Sequence, residues 1–168
     1  MQFAAKFAAL VAATIVFSTV WFAGASHAAS GEEVIKARVA FMEDEMEGHW
    51  KPLAAFAKSG SGSLADVEKN ARAIAKLAKE IPKHFPKDTG RGKYPDKMTR
   101  ALPAIWEDPE GFKRDIQALV DGSEQLARLA SAGKKDEVVE MIGPSGSYAK
   151  TKIGCAECHE HFRGRRVK

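Results

Sequence analysis

The stretch "IKARVAFMEDEMEGHWKPLAAF" (residues 35–56) decides the fold class of this sequence. Its apolar, methionine and histidine side chains recur every three or four residues. This spacing places them along one face of an α-helix as a continuous seam that packs against neighbouring helices. No strand pattern competes with the helical one between residues 29 and 168. The seam follows alternating steps of four and three: Ile35, Val39, Met42, Met46, His49, Leu53 and Phe56.

Three further helical segments follow the first one. A second seam runs over residues 67–81 and a third over residues 112–130. The last segment begins near residue 136, is interrupted by Gly143-Pro144-Ser145-Gly146, and resumes towards the two cysteines. Prolines and glycines in residues 82–108 make the connection between the second and third helices long and irregular. The pattern predicts an all-α, antiparallel four-helix bundle.

The amino terminus predicts a cleaved signal peptide over residues 1–28. A single early lysine precedes an apolar run, Phe7–Ala25, and small residues follow this run. They fit a cut after Ala28, with a cut after Ala25 as the alternative and an uncleaved membrane anchor as the competing interpretation. We expect residues 29–168 to form one periplasmic domain without a membrane span.

The charge of that domain excludes one class of partner. Residues 29–168 hold 25 Lys and Arg against 22 Asp and Glu, a net charge of +3. This excess is too small to predict nucleic-acid binding. It is concentrated in Arg163, Arg165, Arg166 and Lys168, a tail that is either simply solvated or steers docking onto an acidic partner.

The segment "CAECHEHFR" (residues 155–163) holds both cysteines of the chain and admits three kinds of chemistry. A structural zinc site draws four ligands from two separated pairs, whereas only one cysteine pair is present. A thioredoxin-like redox pair sits on a helix that follows a strand, and that context is missing. A plain disulfide suits an exported protein but leaves the adjacent histidine without a role.

The third kind of chemistry, covalent attachment of a c-type haem, is signalled directly by Cys-x-x-Cys-His. Cys155 and Cys158 would each form a thioether with one haem vinyl group, since two intervening residues let both sulfurs reach the same edge. His159 would then point under the ring and take the proximal iron position. The export signal and the absence of other cysteines favour this interpretation.

The whole of residues 29–168 resembles the cytochrome c′ family, the class II c-type cytochromes. The resemblance is carried, in the right order along the chain, by "IKARVAFM", "WKPLAAFAKSG", "LPAIW", "FKRDI" and "CAECHEHFR". It implies a four-helix bundle with one covalent haem c per chain. It also implies that Cys155 and Cys158 hold the haem and that His159 is the proximal ligand.

The same resemblance indicates what faces the iron from the other side. Arg38 matches an arginine that lies near the haem propionates, and Met42 stands at the distal position. Family members with a bulky aliphatic or aromatic residue there are five-coordinate, whereas relatives with methionine there are six-coordinate electron carriers. The stretch after Met42 carries an extra residue compared with typical members, so Met46 and Phe41 compete for the distal position.

Three other residues near the motif or on the seam are of types that contact haem or bind iron. Phe162 stands three residues after His159 and is expected to pack on the proximal side of the haem. His161 is expected to be a solvated surface residue. His49 is a conceivable second iron ligand, although a polar residue near the end of the bundle is the simpler interpretation.

The function predicted from the sequence is single-electron transfer between redox partner proteins by a monohaem cytochrome that catalyses no reaction of its own. The alternative is a five-coordinate cytochrome c′ that binds nitric oxide or carbon monoxide. A haem peroxidase would need a distal His–Arg pair that this sequence does not offer. Family members often dimerise through the first two helices, but the seams do not demand a dimer.

Overall fold

The first helix of the bundle consists of three consecutive parts. A computed structural model describes residues 29–167, so the predicted signal peptide over residues 1–28 lies outside the described residues. The helix begins as α1 (Gly31–Ala40), passes through a π-helical segment (Phe41–Met46) and continues as α2 (Glu47–Ser59). The π-helical segment lies within the stretch that decides the fold.

The remaining helices complete an all-α bundle, as predicted. The fourth bundle helix is split into α6 and α7, which confirms the predicted interruption at residues 143–146. Within residues 29–167 no β-strand forms, and no helix is long and apolar enough to cross a membrane. The elements are α3 (Leu64–Ala78), a 3₁₀ turn (Ile81–His84), α4 (Ala104–Glu107), α5 (Pro109–Ser131), α6 (Lys135–Ile142), a 3₁₀ turn (Tyr148–Lys150) and α7 (Cys155–Phe162).

The second and third predicted seams form the centre of the core. Helix α3 packs against α2 and α5, while α6 packs against α2 and α5, and α7 packs against α5. Every residue of the two seams is buried, which confirms both: Val67, Ala71, Ile74, Ala78 and Ile81 in the second, and Phe112, Ile116, Leu119, Ser123, Leu126 and Ala130 in the third.

The first predicted seam is correct at its two ends and wrong in its middle. Ile35, Leu53 and Phe56 are buried, whereas Val39 is 41% exposed. Met42, Met46 and His49 are only half-buried. The buried side chains in this part of the helix are instead Arg38, Phe41 and Trp50.

The π-helical segment explains this change of register. An α-helix turns by about 100° per residue, so Phe41 and Trp50, nine positions apart, would point in opposite directions from an uninterrupted α-helix. A π-helical turn accommodates one surplus residue, which reduces the angle between them to about 80°. Both side chains can therefore enter the core.

The long connection between α3 and α5 is closed by one hydrogen bond and joined to α7 by another. The Trp106 indole donates a hydrogen bond to the carbonyl of Phe85 over 3.0 Å. The backbone N–H of Leu102 donates to the carbonyl of Phe162 in α7 over 3.1 Å. The connection therefore lies beside α7 and its cysteine motif.

Candidate functional site

The cysteine motif is held in place by a close approach between two backbones. Gly154 caps the amino terminus of α7 with φ of 98°, a left-handed conformation that favours glycine. A Cβ atom on Gly154 would lie 2.7 Å from the backbone nitrogen of Leu119. A Cβ atom on Gly122 would lie 2.7 Å from the Cα of Ile153. Two glycines thus let the turn before α7 rest directly on α5.

Cys155 and Cys158 stand one helical turn apart on α7 and are not joined to each other by a disulfide. Burial raises the pKa of the Cys155 thiol to about 12, and the neighbouring Cys158 adds to this effect. Burial also raises the pKa of the Cys158 thiol to about 12, with a further contribution from Asp115. Dithiol redox enzymes depend on a lowered thiol pKa, so these properties do not suit a thioredoxin-like pair.

His159 presents a neutral imidazole next to these thiols. Burial lowers its pKa to about 4, and the positive charges of Arg163 and Arg100 lower it further. Its Nδ1 atom is buried and has no hydrogen-bond partner among the described residues. The edge of its ring meets the Tyr148 ring at a centroid distance of 5.6 Å. A neutral, unpartnered imidazole is the form that binds a metal ion.

These three side chains fit the donor set of a covalent haem. Two thiols separated by two residues, followed at once by an available imidazole, are what thioether attachment and proximal iron ligation require. The zinc interpretation gains no support, because residues 29–167 contain no cluster of three or more His, Cys, Asp or Glu side chains that could hold a metal ion.

Arg38 places a buried positive charge in the same part of the bundle. The side chain is 4% exposed, and its Nη2 atom donates to the carbonyl of Thr89 over 2.6 Å and to Oγ1 of Thr99 over 3.4 Å. Its Cζ atom lies 4.7 Å from the centroid of the Phe85 ring. Burial lowers its pKa to about 10, so the guanidinium remains charged at neutral pH.

The acceptors around Arg38 are neutral. Within the described part of the chain it forms no salt bridge. A buried cation without a counter-charge is unfavourable, and an anionic group such as a haem propionate would compensate it. Thr89, Thr99 and Phe85 surround Arg38, and the sequence alone does not identify them because they lie in an irregular loop where side-chain spacing carries no information.

A chain of aromatic rings connects Arg38 to α7. Phe85 meets Phe112 edge-on with a centroid distance of 5.2 Å, and Phe112 meets Phe162 in the same way at 5.1 Å. Phe162 is therefore buried against α5, and its predicted contact with the haem remains a prediction. Together with α7, these rings place the motif and Arg38 on the same side of the bundle.

The candidates for the distal side of the iron differ in their surroundings. Phe41 is 3% exposed and stacks on the His84 ring at 4.0 Å with an interplanar angle of 22°. Met42 and Met46 are partly buried and pack at the edge of the core. The Nδ1 atom of His49 lies 2.9 Å from the amide oxygen of Asn70. This hydrogen bond agrees with the simpler interpretation of His49 as a polar residue of the bundle.

His161 is exposed, as expected, and it has a partner that the sequence did not reveal. Its Nδ1 atom lies 2.8 Å from a carboxylate oxygen of Asp115 on α5. The hydrogen bond to Asp115 is the largest contribution to the raised pKa of His161. His161 and His159 therefore lie in opposite electrostatic surroundings on the same short helix.

A helical bundle with this donor set defines a class of protein, the c-type haem cytochromes. The profile of the cytochrome c′ family matches residues 33–163. The cytochrome c′ of Rhodopseudomonas palustris is 33% identical over 147 residues, which cover 85% of this chain and 90% of that protein.

Solved structures agree with the sequence relatives. The structure of cytochrome c′ from Rhodobacter spheriodes superposes with a TM-score of 0.66 at 29% identity, covering 82% of this chain and all of that one. A nitric oxide complex of a cytochrome c prime mutant from Alcaligenes xylosoxidans gives a TM-score of 0.61 at 25% identity, covering 82% and 98% of the two chains.

This chain belongs to the cytochrome c′ family, and it is a c-type cytochrome with one covalent haem c per chain. When bound, the haem iron supplies two capacities, the exchange of one electron and the binding of a sixth ligand. The two functions expected from the sequence, electron transfer and gas binding, use these two capacities.

Proposed function

We propose that this protein is a five-coordinate cytochrome c′ that binds a small gas, nitric oxide or carbon monoxide, at its haem iron. Cys155 and Cys158 hold the haem and His159 is the proximal ligand. Arg38 neutralises a propionate, and Phe162 supports the proximal side through its contact with Phe112. The assignment follows the donor set on α7 and the unpaired charge of Arg38.

The observation that carries the proposal is that Phe41, three residues after Arg38, is fully buried and held by another side chain, whereas Met42, one residue further on, is not. Phe41 is buried and stacks on the His84 ring, whereas Met42 lies at the edge of the core. A phenyl ring cannot bind iron, so Phe41 at the distal position would leave the sixth coordination position of a bound haem open to a small ligand. The nitric oxide complex of the Alcaligenes xylosoxidans protein supports the same function.

The visible absorption spectrum of the purified holoprotein tests the proposal. We expect a high-spin spectrum in both oxidation states, and we expect the spectrum of the reduced protein to change when carbon monoxide is added. A low-spin spectrum that does not respond to carbon monoxide would contradict gas binding.

The second candidate function is single-electron transfer with Met42 as the sixth ligand. It is favoured by the position of Met42, which lies four residues after the buried Arg38 and in contact with the core. Under this function the native spectrum is low-spin, and Met42→Ala makes it high-spin. Met46→Ala tests the competing methionine, and Met98→Leu, in the loop between α3 and α4, is the control that should leave the spectrum unchanged.

We also propose that the protein is exported to the periplasm and that residues 1–28 are its signal peptide. The apolar run and the small residues at its end support this assignment. Mass spectrometry of the protein purified from a host that assembles c-type cytochromes should give residues 29–168 plus one haem. A mass that includes residues 1–28 would contradict cleavage after Ala28.

A further inference from the structure

Four arginines from two distant parts of the sequence meet beside α7. Arg100 comes from the long connection, and Arg163, Arg165 and Arg166 come from the carboxyl-terminal tail; we refer to these four as the arginine cluster. Two hydrogen bonds join the segments, since the N–H of Gly164 donates to the carbonyl of Arg100 and Nε of Arg100 donates to the carbonyl of Gly164, each over 2.8 Å. The tail is thereby held in a defined place.

The arginine cluster lies on the side of α7 that carries His159. Nη2 of Arg163 donates to the Tyr148 hydroxyl over 3.0 Å, and the Tyr148 ring meets the His159 ring at 5.6 Å. The charges of Arg163 and Arg100 both act on His159. Positive charge is therefore concentrated next to the proposed proximal ligand.

The negative charges of α7 lie on its other side. Glu157 and Glu160 act on His161, which is bound to Asp115. Since residues two apart on a helix point about 200° apart, Glu157 and His161 face away from His159, and Glu160 points about 100° from it. The short helix separates an acidic side from a basic one.

The arginine cluster is almost unneutralised by the chain itself. Within residues 29–167, Arg100, Arg163 and Arg165 form no salt bridge, and Arg166 reaches only Glu43 over 3.8 Å. That pair is weak, because its side chains are 77% and 59% exposed. The pKa of Arg100 is lowered, first by burial and then by Arg163 and Arg166, as expected of mutually repelling cations.

We propose that the arginine cluster is the docking surface for an acidic redox protein that exchanges one electron with the haem of this chain. Planar guanidinium groups bind the carboxylates of Asp and Glu side chains in bidentate fashion, and their field speeds the encounter. In the exchange the partner loses one electron and this chain gains one, with no bond formed or broken. The inference rests on the proposed haem attachment at α7 and is independent of gas binding.

Two small oxidants of opposite charge, each mixed with the reduced holoprotein, test the electrostatic field of the arginine cluster. Hexacyanoferrate(III) takes one electron and becomes hexacyanoferrate(II), and tris(phenanthroline)cobalt(III) takes one electron and becomes the cobalt(II) complex. We expect the hexacyanoferrate(III) rate to fall as ionic strength rises and the cobalt rate to increase.

Two double variants with reversed charges separate the contribution of the arginine cluster to these rates from that of the other surface charges. The double variant Arg165→Glu/Arg166→Glu changes two exposed side chains, and we expect its hexacyanoferrate(III) rate at low ionic strength to fall by about tenfold and its cobalt rate to rise. The matched control, Arg128→Glu/Lys135→Glu, reverses two exposed charges on and just after the far end of α5. Position 128 lies about 24 Å along α5 from Phe112, which contacts α7. We expect rates within about twofold of the native protein for this control.

Equal hexacyanoferrate(III) rates for the native protein and the Arg165→Glu/Arg166→Glu variant would overturn the proposal. Sedimentation with phosphatidylglycerol vesicles provides a second arm. Binding to vesicles that is lost in this variant while the hexacyanoferrate(III) rate stays unchanged would assign the arginines to a membrane surface and overturn the protein partner. Carbon monoxide spectra of the same samples report on gas binding separately.

Discussion

At the scale of single residues, Gly154 determines where the cysteine motif lies. It combines a positive φ with a backbone contact to α5 that leaves no room for a side chain. Its role cannot be read from the motif, because the motif specifies its chemistry and not its distance from α5. Gly48 is a useful contrast, since a Cβ atom on it would meet nothing within 4 Å.

We expect Gly154→Ala and Gly48→Ala to have opposite effects. Gly154→Ala should destabilise the protein by more than about 1 kcal/mol, because alanine is strained at positive φ and its Cβ would collide with Leu119. Gly48→Ala should stabilise it by about 0.5–1 kcal/mol, since alanine favours a helix interior. Urea unfolding of the holoproteins measures both, and equal midpoints for the two variants would contradict the backbone contact.

Arg38 shows what the sequence can and cannot predict at this scale. The resemblance identified it as a residue near the haem, while helical spacing alone would treat it as an exposed charge. Hydrogen bonds to Thr89 and Thr99 and a contact with the Phe85 ring, all from the irregular connection, partly compensate the burial of its guanidinium group. Such contacts depend on how a loop folds back on a helix, and that is not encoded in local periodicity.

At the scale of elements, the first helix departs from its predicted pattern, whereas α3 and α5 follow theirs. A seam prediction assumes a constant turn of about 100° per residue, which holds for regular α-helices. The π-helical segment Phe41–Met46 breaks this assumption at one place. The core-facing residues before it and those after it therefore do not follow one common α-helical spacing. The extra residue noted in the sequence is the signal from which the π-helical segment could have been predicted.

We expect deletion of Asp44 to be tolerated. Asp44 is exposed within the π-helical segment, and its removal converts the segment to a regular α-helix without changing the relative orientation of α1 and α2. The thermal unfolding temperature of the holoprotein should stay within a few degrees of the native value or rise.

Deletion of Asp121 provides the control for this experiment. Asp121 is exposed in the middle of α5, a regular α-helix, so its loss rotates one half of the helix by about 100° relative to the other and exposes half of a core seam. This variant should fail to fold or lose stability severely. Equal damage by the two deletions would show that the π-helical segment does not hold a surplus residue.

At the scale of the whole molecule, the long connection links Arg38 of the first helix to the carboxyl-terminal tail. Arg38 of α1 holds it through Thr89 and Thr99, and the carboxyl-terminal tail holds it through Arg100. Hydrogen bonds to the connection fix the buried charge of Arg38 and the arginine cluster in relation to the motif. The sequence predicted the length of this connection and not its two attachments, because hydrogen bonds to loop carbonyls leave no spacing pattern.

Two truncations test whether the tail stabilises the molecule through this attachment. Removal of residues 165–168 keeps both hydrogen bonds between Gly164 and Arg100, whereas removal of residues 164–168 eliminates these two and keeps the hydrogen bond from Arg163 to Tyr148. At about 1 kcal/mol for each hydrogen bond, the longer truncation should lower the free energy of unfolding by about 2 kcal/mol relative to the shorter one.

Limited proteolysis locates the effect within the molecule. Loosening the attachment exposes the long connection by local unfolding, so the longer truncation should be cleaved faster within residues 82–103 than the shorter one. Cleavage elsewhere should be unaffected, since α3 and α5 keep their packing. If both truncated proteins unfold at the same urea concentration and resist protease equally, the connection is held by Arg38 and the bundle alone, and the tail serves only to present its charges.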